Sequence, residues 1–356
     1  MMNRRDFLRL SCAVPAGFAL SPLAGAAASA TTSRRWRTFE LHYDIDLKGK
    51  GPARLWLPVP MTAADGYQRL LGHAWQGNAR RAHLDHDPVY GAAALYAEWD
   101  AADGDRRLGL TLQVATQDRA VDPRGRASQR DENPALYLHP TPHMPNDGIV
   151  AESASDITRG LKDPLDKAHA IYEWIVDNTF RDPKVEGCGT GDIRAMLVTG
   201  DLRGKCADIN ALFVGLARAA GIPSREVYGI RVADSAQFKS LGKSSDVSKA
   251  QHCRAEFYLA GSGWVPVDPA DVRKAVLEEK LPLDDARIRA LRTRLFGYWE
   301  MNWVAYNTAR DVELTPRTRA PLNYFMYPYA ESAAGTSFGI HPDRFTYRIR
   351  AREMQA

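Results

Sequence analysis

The sequence predicts an α+β fold: a buried helix packed on an antiparallel sheet, with an antiparallel β unit before it in the chain. Three observations predict it. Apolar and polar residues alternate with period two through residues 39–47 and again through 108–114. Residues 206–220 are apolar almost all round, which a helix tolerates only in the interior. Two strand-like runs, 252–259 and 264–268, flank Gly261-Ser262-Gly263 and read as a hairpin.

The elements follow in order. Residues 1–30 read as an export signal. Arg4-Arg5-Asp6-Phe7-Leu8-Arg9 resembles the twin-arginine signature, a moderately apolar stretch follows, and Ala28-Ser29-Ala30 offers the small residues a signal peptidase reads. Pro15 and Pro22 interrupt that stretch, so it is too short to span a bilayer. Residues 31–130 are expected to form the N-terminal β unit, with strands at 36–47, 54–59 and 108–114 separated by Gly and Asp clusters. A proline-rich connector over 117–147 precedes a core expected over 131–280. Within it Asp163 caps a helix with Pro164 at its first position, and Leu165, Ala168, Tyr172 and Ile175 share one face. Gly221 and Pro223 end the buried helix, and residues 225–232 form a strand. Residues 281–356 are expected to extend the chain and pack on the core, with a strand of alternating Phe345, Tyr347, Ile349 and Ala351.

Composition excludes several classes. The chain has 356 residues, 45% of them hydrophobic, with 47 Lys plus Arg against 43 Asp plus Glu. Enough apolar surface can be buried to rule out disorder. Removing residues 1–30 leaves 326 residues and a net charge of +2, which gives no general drive toward nucleic acid or an anionic membrane. No later segment approaches 18 uninterrupted apolar residues, so no transmembrane segment is expected in the mature chain. The expected location is periplasmic or secreted, through the twin-arginine export machinery.

Gly204-Lys205-Cys206-Ala207-Asp208 is the most informative stretch. It sets a cysteine at the first turn of the buried helix, where unpaired N–H groups and the helix dipole stabilise a thiolate. The same N–H groups can receive an oxyanion, Lys205 adds positive charge, and Gly204 leaves room for a substrate backbone. A thiolate needs a partner base. His252 opens the hairpin, and alternation sets it on the face of Arg254 and Glu256. Asp268 closes the partner strand on the same polar side. Simple pairing leaves His252 and Asp268 several residues apart, so counting leaves Asp271 open as the third member.

At these residues the chain resembles the transglutaminase-like superfamily, whose fold is related to papain-like cysteine proteases. The resemblance runs through residues 204–213, 217–225, 256–258 and 263–269, with His252 between them. It implies Cys206 as nucleophile, His252 as base and Asp268 as the residue that orients it. It implies a papain/transglutaminase-like core, and thiol attack on an amide carbonyl. No glutamine lies just before Cys206, so a papain-type second oxyanion donor is not supplied there. Of the mature chain's three cysteines, this assignment leaves Cys206 free and Cys188 with Cys253 as the pair available for a disulfide.

The expected function is thiol-dependent acyl transfer on a peptide or protein substrate of the cell envelope, by hydrolysis rather than transamidation, with no cofactor and no metal. The competing expectation is a non-catalytic envelope binding module of the same fold. A zinc protein built on Cys188, Cys206, Cys253 and His252 would close four ligands but disable the nucleophile. Gly335-Thr336-Ser337-Phe338-Gly339 matches a serine-nucleophile pattern, but its flanks read as a loop. His83, Asp85, His86, Asp87, His139 and His143 are read as solvated loop residues. Gly187-Cys188-Gly189-Thr190-Gly191 is expected to make a tight loop close to Cys206, and residues 233–251 to flank the site.

Overall fold

Period-two burial sets the first strand. In β1 (Arg37–Leu47) Phe39, Leu41, Tyr43, Ile45 and Leu47 are buried and the residues between them are half-buried, because neighbouring side chains on a strand point to opposite faces. The computed structural model describes residues 35–49, 51–64, 66–100, 105–126, 133–340 and 346–355. The export-signal reading of residues 1–30, and Phe345 of the expected tail strand, lie outside them. The strands that follow are β2 (Ala53–Pro58), β3 (Gln68–Gly77), β4 (Arg81–His86), β5 (Ala93–Trp99) and β6 (Arg106–Thr116). The second half supplies β7 (Ser224–Arg231), β8 (Gln251–Leu259), β9 (Gly263–Val267) and β10 (Trp303–Asn307). The end of the chain supplies β11 (Tyr329–Ser332), β12 (Gly335–Phe338) and β13 (Tyr347–Met354). The helices are α1 (Ile149–Ile157), α2 (Pro164–Asn178), α3 (Ile193–Thr199), α4 (Cys206–Ala219), α5 (Pro269–Glu278) and α6 (Ala286–Arg294).

Two sheets build the β unit. One runs β13, β1, β6, β3, with two-residue strands at its edges. The other runs β12, β11, β2, β5, β4. Leu41 faces Leu112 and Tyr43 faces Leu110 across β1 and β6. These residues share a core with Leu55, Leu57, Leu95 and Trp99 of the second sheet. Three of the nine strands just named, β11, β12 and β13, come from beyond residue 328. The C-terminal segment, expected to pack on the core, therefore divides: β10 joins the core sheet, and β11 to β13 join the sheets of the β unit. Two expected loops are strands instead. His83 and Asp85 lie on β4, 3.1 Å apart at Nε2 and Oδ2. Gly335 to Phe338 form β12, a hairpin edge beside β11, and not the strand-to-helix elbow a serine nucleophile requires.

The core sheet runs β9-β8-β7-β10, all antiparallel. Helix α4 lies against it, and every residue from Cys206 to Arg218 is buried. Leu212, Phe213 and Leu216 share one core with Phe257 and Tyr228 of the sheet and with Ile171 and Ile175 of α2, and the Phe213 and Phe257 rings are in contact. Asp163 caps α2 as the sequence predicts, its carboxylate accepting from Leu165 N at 2.7 Å. Tyr43 of β1 and Tyr306 of β10 share a 2.5 Å hydroxyl hydrogen bond, joining β unit to core sheet.

The β1 pattern is directly testable. Leu41→Ala is expected to cost about 2–5 kcal/mol in urea unfolding, since a buried leucine leaves a cavity. Glu40→Ala loses only a surface ion pair with Arg352 and is expected to stay within about 1 kcal/mol.

Candidate active site

The first turn of α4 presents Cys206. Its geometry is set by one carboxylate: Asp208, the third residue of the helix. Asp208 Oδ2 accepts from Lys205 N at 2.8 Å and Oδ1 accepts from Gly191 N at 2.8 Å. It thereby satisfies a backbone donor at the helix start and ties the glycine-rich loop 187–191 to it. Ala207 N donates to Cys188 O at 2.9 Å, a second tie to the same loop. Two glycines make room for this carboxylate. A Cβ on Gly189, whose φ is +96°, would lie 1.9 Å from Asp208 Oδ2, and one on Gly204 would lie 2.4 Å from Asp208 Cβ. The space beside Gly204, expected to admit a substrate backbone, is filled by Asp208.

His252 stands at the start of β8, opposite Gly229 of β7. Its Nε2 lies 2.8 Å from Asp268 Oδ2 and 3.5 Å from Asp271 Oδ1. That leaves Nδ1 for Cys206, whose thiol is in contact with the imidazole. Strand pairing alone would not join His252 to Asp268. Ala255 faces Val267, so the register runs Asp268 toward Arg254. The chain turns at Asp268 into α5, and the Asp268 carboxylate caps that helix, accepting from Asp271 N at 3.1 Å. The helix turn brings Asp271 round to the same imidazole. Both carboxylates left open by counting therefore reach His252, and Asp268 is the nearer.

The surroundings hold this group rigid. Asn210, one turn below Cys206 on α4, donates to Cys253 O at 2.9 Å and to Asp268 Oδ1 at 3.2 Å. Arg231 pairs with Asp271 at 2.5 Å, both side chains buried. Trp303 Nε1 donates to His252 O at 2.9 Å. A Cβ on Gly229 would meet the Trp303 ring at 2.5 Å, so glycine there seats the tryptophan. Asp208 could have been found from its position as an acid in the first helical turn, and Asn210 from its four-residue spacing to Cys206. Nothing local marks Arg231 or Trp303.

Cys188, Cys206 and Cys253 are free, buried thiols. Cys206 contacts both others. Cys188 Sγ lies 3.3 Å from Gln251 O and accepts from Tyr327 OH at 3.1 Å. Its single proton can go to the Gln251 carbonyl or to the Cys206 sulfur, not to both. Among the described residues the one group that brings three metal-ligating atoms within 4.8 Å of one another is His252, Asp268 and Asp271. The thiols are not part of it, so the four-ligand zinc arrangement is not formed.

Electrostatics separate the two key groups. Contacts with Cys188, Cys253 and His252 hold the Cys206 thiol well below its ordinary range, against the burial that would raise it. Burial and the Arg231 charge pull His252 down, but Asp271 and Asp268 more than offset them, and its value is raised. Burial and the Asp271 charge raise Asp268, whereas Arg231 leads the opposing charges that hold Asp271 low despite its burial. A low cysteine beside a raised histidine favours a thiolate–imidazolium pair. The pair opens into a cavity of about 620 Å³ whose wall carries Arg181, Lys205, Lys239, Lys243, Lys249 and Lys274.

Residues 151–269 match the transglutaminase-like superfamily. The chain is 41% identical over 337 residues to an uncharacterized protein of Haemophilus influenzae, covering 89% of this chain and 91% of the other. It also shares its fold with the crystal structure of a candidate cysteine protease from Cytophaga hutchinsonii, at a TM-score of 0.57 and 16% identity, covering 90% of this chain and 92% of that one.

The neighbouring thiols give a specific expectation. Alkylation of Cys206 by iodoacetamide, located by mass spectrometry, should rise with pH through an inflection below the free-thiol value of about 8.5. Cys253→Ala removes a donor to the thiolate and should move that inflection upward. Cys253→Ser keeps a donor and should move it less. An inflection unmoved by Cys253→Ala would show that the contact does not stabilise the thiolate.

Proposed function

The chain belongs to the transglutaminase-like superfamily, and on that premise we propose that it performs thiol-dependent acyl transfer on an amide of a peptide or protein substrate through Cys206, His252 and Asp268. The observation that carries this reading is the lowered thiol at the first turn of a buried helix, in contact with a histidine held by two carboxylates. The Cys206 thiolate attacks the amide carbonyl, and a C–S bond forms. The oxyanion is received at the helix N-terminus. His252 gives its proton to the departing amine as the C–N bond breaks. Neutral His252 then takes a proton from the acceptor, whose attack on the thioester breaks the C–S bond, releases the acyl group and restores the thiolate–imidazolium pair. Asp268 keeps Nε2 as the protonated side of the ring and stabilises the imidazolium.

Water is the acceptor we favour over an amine. The wall of the cleft is rich in lysine and arginine, and a protonated amine approaching it meets like charge. Water meets no such penalty. We place the reaction in the periplasm or outside the cell, after twin-arginine export directed by Arg4 and Arg5. No helix among the described residues is long and apolar enough to cross a membrane.

Incubation with a cell-envelope peptide fraction, followed by mass spectrometry, tests the chemistry. New carboxyl termini or deamidated side chains are expected, and amine cross-links are not. Cys206→Ser and His252→Ala should each lower the rate by at least about 10³-fold with folding intact, and the double variant should lose little more. Full activity in Cys206→Ser would overturn the mechanism, and cross-linked products would overturn the choice of acceptor.

A further inference from the structure

We propose that the substrate of this site is acidic: a peptide carrying carboxylates beside the reacting amide. This rests on the acyl-transfer reading above and adds the chemical class of the substrate. The chain as a whole is close to neutral, at +4 over 356 residues. The reactive cleft is not. Its wall carries Arg181, Lys205, Lys239, Lys243, Lys249 and Lys274, besides the Arg231 already paired with Asp271. Among the described residues two acids, Glu278 and Glu279, lie on the same wall.

Those two acids are already engaged. Glu278 lies 3.4 Å from Arg181 and 3.9 Å from Lys274, so one carboxylate serves two cations. Glu279 accepts from Ser240 N at 2.8 Å. Lys249 is engaged as well, and Lys205, Lys239 and Lys243 still leave positive charge in excess on the described wall around Cys206. The cations come from separate segments that converge on one space. Lys239 and Lys243 are exposed residues of the segment before β8, Lys249 stands three residues before His252, Lys205 precedes Cys206, and Arg181 and Lys274 close the far wall. Lys274 on that wall has its value pushed down to about 8, by burial first and by repulsion from Arg231 second. A substrate anion would relieve that repulsion.

The excess is confined to the reactive end. A larger cavity of about 1180 Å³ continues from the cleft, sharing Lys243, Ser248, Lys249 and Tyr347, and extends over β1 and β6. Arg348 and Arg350 line it, but Asp246 lies 3.6 Å from the first and Asp44 3.5 Å from the second. Apart from the two shared lysines, the described lining of the distal cavity carries Arg107, Arg348 and Arg350 against Asp44, Asp46 and Asp246, so selection for negative charge falls next to the amide that reacts. A convergent field in a partly enclosed cleft raises the local concentration of an oppositely charged ligand and its rate of arrival. A peptide fits better than other polyanions because the chemistry beneath the cations acts on an acyl group.

The test uses three N-chloroacetyl tetrapeptides of equal length that differ only in two residues: Glu-Glu, Gln-Gln or Lys-Lys. Each alkylates a thiol, and mass spectrometry locates the label. The Glu-Glu reagent is expected to label Cys206 about tenfold faster than Gln-Gln at low salt, and Lys-Lys slowest. The Glu-Glu to Gln-Gln ratio should fall toward one at about 0.5 M NaCl, where screening shortens the range of surface charge to a few ångströms. It should also fall in the Lys239→Gln/Lys243→Gln double variant, whose two positions are exposed. Equal labelling of Cys206 by Glu-Glu and Gln-Gln would overturn the acidic-substrate inference and leave the nucleophile standing. Failure at Cys206 of all three reagents and of iodoacetamide, in a folded chain, would overturn the acyl-transfer reading and this inference with it.

Discussion

Two carboxylates buried side by side are the constraint around which the site is built. Asp268 and Asp271 are nearly inaccessible, and an uncompensated charge in such a place is strongly destabilising. The fold compensates them from four directions. His252 faces both, Arg231 pairs with Asp271, Asn210 donates to Asp268, and the first turn of α5 supplies a backbone N–H. Arg254 adds a more distant cation, its Nε 3.6 Å from Asp268 Oδ2. Each compensating group also fixes an element: β8 through His252, β7 through Arg231, α4 through Asn210. Electrostatic satisfaction and positioning are one arrangement, and the raised histidine follows from it.

A similar economy governs the cysteine. The thiol sits where the helix offers unpaired donors, but the helix end must itself be held. Asp208 does that with two hydrogen bonds, and it can lie flat against the chain only because residues 189 and 204 lack a Cβ. The glycine-rich loop is thus a seat for a carboxylate. By fixing that loop, Asp208 also fixes Cys188 beside Cys206. Three thiols then share a small buried volume, and contact with the outer two favours negative charge on the middle one.

The β unit and the core are interleaved by the chain. The last strands return to pair with β1 and β2 after β10 has joined the core sheet. The segment before β8 is pinned at Ser245 and Asp246 against β13. A strand from the end of the chain therefore anchors the lysine-bearing wall of the cleft to the β unit.

Local physics made much of this legible. Alternation identified β1 and β6, capping chemistry identified α2, and the all-apolar run identified α4, because each signal is read within a few residues. Cys206, His252 and Asp268 were nominated the same way, from a helix start, a strand start and a strand end. Hairpin counting alone left Asp268 and Asp271 undecided, and only the family resemblance favoured Asp268, because counting cannot see that a helix begins at Asp268 and swings both toward one ring. The sequence could not show β11 to β13 closing the N-terminal sheets, since strand pairing across some 300 residues depends on the register of the whole fold. Nor could it gather six cations from dispersed positions into one cleft. Residue chemistry was written along the chain; the neighbours that give it meaning were decided only when distant segments packed.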